Sequence, residues 1–175
     1  ASALAAEMIP DPKVPAGSAG ALAAEGGTRS AQAFDAYLRG RALYDLSADE
    51  ASERAALAQF DAAIAADPDF APAHAARARS LVAIANQYGK AGQLLELHES
   101  AIASARRAIE IAPGLADAYS TLGFTLFQGK LDARGAREPF ERSKELGAGE
   151  ATVLARYAQY SARVGRSPDA AAATQ

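Results

Sequence analysis

The chain has 175 residues, 50% hydrophobic and 22% charged, a balance that supplies one continuous core in a folded chain. Its formal charge of −3 gives no electrostatic reason to expect nucleic acid or an anionic membrane surface as a partner. The absence of cysteine excludes disulfides, thiolate metal sites and cysteine nucleophiles, and no apolar run approaches the roughly 18 residues of a membrane span.

Residues 1–29 begin with a short helical stretch around Leu4 and Met8 and continue through Pro10, Pro12, Pro15, Gly17, Gly20, Gly26 and Gly27. That composition reads as a tail or linker. A first helix is expected over residues 30–44, with Phe34, Tyr37, Leu38, Leu43 and Tyr44 supplying its bulk and Gly40 a close approach. Ser47 followed by Glu50 has the spacing of a capping box, which starts a second helix at Ser47. Asp67-Pro68 ends it near residue 66, because proline disfavours helical geometry in the residue before it. A third helix over 70–88 leads into Gly89-Lys90-Ala91-Gly92, where the glycines are expected to take the left-handed conformation at a helix end. A fourth runs over 94–112 and stops at Pro113.

In the next helix Tyr119, Leu122, Gly123 and Leu126 fall at i, i+3, i+4 and i+7, one face of a 3.6-residue period. Its partner carries Ala136, Phe140 and Ser143 at the same spacing, with Pro139 between them, so a kink is expected there beside Gly135. A further helix begins near Glu150, and Ser167-Pro168 reads as the capped start of another.

These helices repeat. Ala56-x3-Phe60-x2-Ala63, Ala101-x3-Ala105-x2-Ala108 and Ala136-x3-Phe140-x2-Ser143 share one register. Ala56, Ala101, Ala136 and Ala170 are separated by 45, 35 and 34 residues, so one unit carries about eleven extra residues relative to a 34-residue repeat. A single hairpin cannot bury both of its apolar faces, so such units stack in series. The set Tyr119-x2-Leu122-Gly123-x2-Leu126 with Ala136-x3-Phe140 resembles the tetratricopeptide repeat family.

The resemblance implies an all-α, right-handed α-α superhelix of about three and a half helical hairpins over residues 30–175, in units of about 30–68, 69–113, 114–148 and a shortened 149–175. It also implies a protein or peptide partner held in a concave groove lined by the first helices. A narrower likeness, carried by residues 36–43 and 66–71, is to the repeat arrays of bacterial adenylate cyclases and winged-helix regulators, which would place this segment within a longer signalling protein.

No constellation of an enzyme emerges. His74 and His98 lack metal-ligand spacing and read as surface or groove-rim imidazoles; phosphate-binding and dinucleotide glycine motifs are missing, so no cofactor or metal is expected. The surface is what remains. Asp117, Ser120, Phe124 and Phe127 form a second stripe away from the buried one, either packed on adjacent first helices or forming an apolar floor for a peptide. Tyr37, Arg41, Arg79, Gln128, Gln159 and Arg163 would flank that floor, and the arginines could pair with an acidic ligand. The basic and asparagine set that some relatives use to clamp a C-terminal carboxylate is not reproduced. Self-association through an exposed C-terminal end is the structural alternative, an unrecognised enzymatic site is a second one, and cytoplasmic and periplasmic locations both stay open.

Overall fold

The computed structural model describes residues 26–165, which are helical with no strand among them. Seven α-helices follow in order: α1 Ala31–Asp45, α2 Glu50–Ala66, α3 Ala71–Tyr88, α4 Leu94–Ile111, α5 Ala116–Phe124, α6 Arg137–Leu146 and α7 Ala151–Arg163. They pair as hairpins α1–α2, α3–α4 and α5–α6, and α7 packs on α6 and α5. The odd-numbered helices also touch one another in succession, α1 on α3, α3 on α5 and α5 on α7. The array is therefore a row of hairpins with one helix of each on a shared inner layer.

The repeat register is the core. Ala56, Phe60, Ala63, Ala101, Ala105, Ala108, Ala136, Phe140 and Ser143 are all 0% exposed, three equivalent triplets on α2, α4 and α6 or its cap. In the first and third hairpins a glycine lies under the ring. A Cβ on Gly40 would meet the Phe60 ring at 2.6 Å, and one on Gly123 would meet Phe140 at 2.9 Å. In the middle hairpin the equivalent contact joins Ala78 and Ala105, both fully buried, so two methyl groups do what a ring over a glycine does elsewhere.

Local details depart from the sequence reading in physically clear ways. The capping box of α2 belongs to Asp49, whose carboxylate accepts the Ser52 amide at 2.8 Å while the Ser52 hydroxyl accepts the Asp49 amide at 3.2 Å. Ser47 instead donates to Glu53 Oε1 at 2.7 Å. The expected kink at Pro139 is also corrected: α6 starts at Arg137, so the proline is its third residue, where the amide has no intrahelical partner to lose. Gly89 caps α3 with φ −66° rather than in the left-handed region. It is needed for space, since a Cβ there would lie 2.5 Å from the Ala85 carbonyl oxygen.

His98 is 7% exposed, not at a rim, with its ring laid against Gly129, where a Cβ would meet it at 2.7 Å. Beyond Phe124, α5 widens into a π-helical turn, Thr125–Gly129, in which Lys130 N–H donates to the Thr125 carbonyl at 3.1 Å. The Thr125 hydroxyl donates to the Thr121 carbonyl at 2.7 Å, and such side-chain capture of a helix carbonyl loosens the regular ladder. Most of the 1–29 tail and the expected helix start at Ser167 lie outside the described residues. Of the former, residues 26–29 are held in place: the Gly26 carbonyl accepts Ala71 N–H at 2.9 Å, and Thr28 donates to Asp67 at 2.5 Å.

Candidate functional site: the groove of the inner helices

The inner layer curves enough for α1 and α7 to face one cavity. Tyr37 and Arg41 of α1, Arg79 of α3, Asp117 of α5 and Thr152 of α7 line a space of about 220 Å³, with Glu150 at its mouth. Each arrives by helix periodicity: Tyr37 and Arg41 are one turn apart, while Asp117 and Thr152 sit in the first turns of α5 and α7.

Charge is concentrated around Asp117. Arg79 and Arg156 both reach Asp117, at 3.4 Å and 3.8 Å, and the three side chains are only 22%, 18% and 23% exposed. Arg79 lies over the Tyr44 ring at 4.9 Å and Arg156 over the Phe124 ring at 5.3 Å, so each guanidinium has one aromatic face beneath it. Arg156 also donates to the Thr121 hydroxyl at 3.1 Å. Burial pulls the Arg156 guanidinium below its ordinary pKa, and Asp117 and Tyr44 draw it partly back. Burial pushes the Tyr44 phenol up, against the pull of Arg79 and with the push of Glu53.

Of the ten residues singled out in the sequence, Tyr37, Arg41, Arg79 and Asp117 come together in this cavity. Phe124 is half-buried among Leu81, Val82 and Ala101 with Arg156 above it. Phe127 packs edge-on against Tyr160 at 5.2 Å. Ser120 is 0% exposed and its hydroxyl has no hydrogen-bond partner. Gln128 lies in a different cavity, lined also by Leu94, Leu95, His98 and Leu131, and Gln159 and Arg163 are exposed on α7. Among the described residues no three His, Asp or Glu side chains converge on a point that would hold a metal ion.

No family model matches the sequence, and no curated protein matches it. Solved structures do. The first tetratricopeptide repeat domain of Spaghetti (RPAP3), bound to the HSP90 peptide SRMEEVD, aligns with a TM-score of 0.61 and 17% identity over 79% of this chain and 99% of that one. TTC0263, a thermophilic tetratricopeptide repeat protein of Thermus thermophilus, aligns with a TM-score of 0.52 and 15% identity over 81% of this chain and 87% of that one. The chain has the tetratricopeptide-repeat fold.

Within that tetratricopeptide fold the sequence reading missed Arg156 and Tyr44. Arg156 was findable, because Thr152, Arg156, Gln159 and Arg163 share one face of α7 at i, i+4, i+7 and i+11. Tyr44 carried no such signal; its contact with Arg79 is made between the neighbouring inner helices α1 and α3.

Proposed function

We propose that the chain is a protein-protein interaction module that holds a peptide or partner segment against Tyr37, Arg41, Arg79, Asp117, Thr152 and Arg156. The observation that carries this reading is the convergence of four inner helices on one cavity lined by Arg79 and Asp117, with Arg156 paired to the same Asp117. Both arginines also tie neighbouring hairpins together through the rings beneath them, yet charge held so far from water is costly to keep. At about 220 Å³ the cavity is smaller than the roughly 300–1,000 Å³ typical of small-molecule sites, which favours the side chains of a peptide over a free metabolite. The tetratricopeptide domain bound to the HSP90 peptide supports the same use of the fold.

The weaker likeness to arrays in bacterial adenylate cyclases and winged-helix regulators supports a place beside a sensory or catalytic domain. The mass of the native gene product tests that placement, with a product no longer than this chain counting against it.

The groove is tested by obstruction. Thr152→Trp puts an indole at the exposed mouth, and Ala103→Trp puts the same bulk on the outer surface of α4. Partners captured by the unaltered protein are purified, and their affinity for each variant is measured. Loss of affinity with Thr152→Trp but not Ala103→Trp supports the groove; the reverse pattern refutes it.

A further inference from the structure

A second cavity lies apart from the groove, where α3 turns into α4 beside the end of α5. The last turn of α3, the loop after it, the first turns of α4 and the π-helical turn surround about 550 Å³. It belongs to the hairpin whose repeat carries the extra residues, and its lining differs in kind from that of the groove. No charged side chain takes part: Leu94, Leu95 and Leu131 supply the apolar wall, and Asn86, His98 and Gln128 the polar atoms. Two glycines let side chains lie directly on backbone. A Cβ on Gly129 would meet the His98 ring at 2.7 Å, and one on Gly89 would meet Leu94 at 2.5 Å. Leu95 and Leu131 stand at the lip, 64% and 85% exposed, apolar surface that a ligand would cover. Leu131 is also the one non-glycine residue with positive φ among those described, at 55°, a strained conformation for a leucine.

His98 sets the polar requirement. It is 7% exposed, and its Nε2 is buried without a hydrogen-bond partner, a group that is costly to leave unpaired. Burial, with Lys130 nearby, holds the imidazole neutral at pH 7, and Lys130 itself is paired with Glu99. Neither an anion nor a cation is attracted. We propose that this cavity binds a small, uncharged, largely apolar molecule carrying one hydroxyl group, of which a phenol is the simplest case. The hydroxyl pairs with His98, whose ring turns to present Nε2, and the hydrocarbon part lies between Leu94, Leu95 and Leu131. The volume falls within the roughly 300–1,000 Å³ of small-molecule sites, where the groove cavity of about 220 Å³ does not.

The probes are p-cresol, toluene and p-toluate, titrated into the full chain at pH 7.5. With only two histidines in the sequence, the Cε1–Hε1 signals of His98 and His74 are followed separately by NMR, and the Gly129 amide reports on variants. p-Cresol is expected to bind with a Kd of roughly millimolar order, to shift His98 and not His74, and to bind about three- to tenfold tighter than toluene or p-toluate. In His98→Leu, which keeps apolar bulk and removes the hydrogen bond, p-cresol and toluene are expected to bind alike. Leu95→Asp, on the exposed lip, is expected to weaken both.

A stationary His98 signal with p-cresol, toluene or p-toluate binding as tightly as p-cresol, a preference for p-cresol that survives in His98→Leu, or unchanged p-cresol affinity in Leu95→Asp would each overturn the inference. Should His98→Leu fail to fold, the comparison of p-cresol with toluene on the unaltered protein, together with Leu95→Asp, decides.

Discussion

At the scale of single residues, two glycines and two rings set how closely the hairpins close. Gly40 under Phe60 and Gly123 under Phe140 leave no room for a methyl group, whose carbon would lie 2.6 Å and 2.9 Å from the ring. Gly40→Ala and Gly123→Ala are each expected to destabilise by about 1–3 kcal/mol despite the better helix propensity of alanine. Gly149→Ala has open space around it and should change the urea midpoint little. The rings were legible because Phe60 and Phe140 hold the same place in the repeat register; the glycines lie 20 and 17 residues before them. The face of Arg156 was legible in the same way, but its partner Phe124 was not, since that contact is made between two separate helices, α7 and α5.

His98 adds a pH dependence. Burial, with Lys130 nearby, holds its pKa below the ordinary 6.5. The native imidazole stays neutral while the unfolded one takes up a proton, so its contribution is full above pH ~6.5 and is lost as the pH falls below that. His74 is depressed in the same direction, chiefly by burial. Urea midpoints measured at pH 7.5 and pH 5.5 should therefore fall on acidification, and the fall should be smaller in His98→Gln.

Among the elements, helix starts are decided by competition between neighbouring caps. Ser47 and Asp49 both had the chemistry to begin α2, and the carboxylate won because Ser52 sits three residues on to return the bond. Asp49→Ala should cost about 1 kcal/mol in chemical denaturation. Pro139→Ala should change stability by less than about 0.5 kcal/mol, because the first turn of α6 has no bond for the proline to break.

The existence and order of helices followed from periodicity. The start of α6 did not, because Asp132 accepts the Gly135 amide and the Ala136 amide pairs with the Asp132 carbonyl, a turn that the alanine-rich sequence hides. The π-helical turn was equally hidden, as it rests on one threonine hydroxyl taking a backbone carbonyl.

For the molecule as a whole, the cavity follows from stacking. Each hairpin leaves an apolar face for the next, and the inner helices, touching in succession, bend round until α1 and α7 share a cavity. Neither end of the row alone lines the cavity; Tyr37, Arg79, Asp117 and Thr152 come from four different helices.

The most direct test is amide hydrogen exchange of the chain with and without its purified partner. Added protection concentrated on α1, α3, α5 and α7 is the predicted result. Protection confined to α2, α4 and α6, with the inner helices unchanged, would contradict the account.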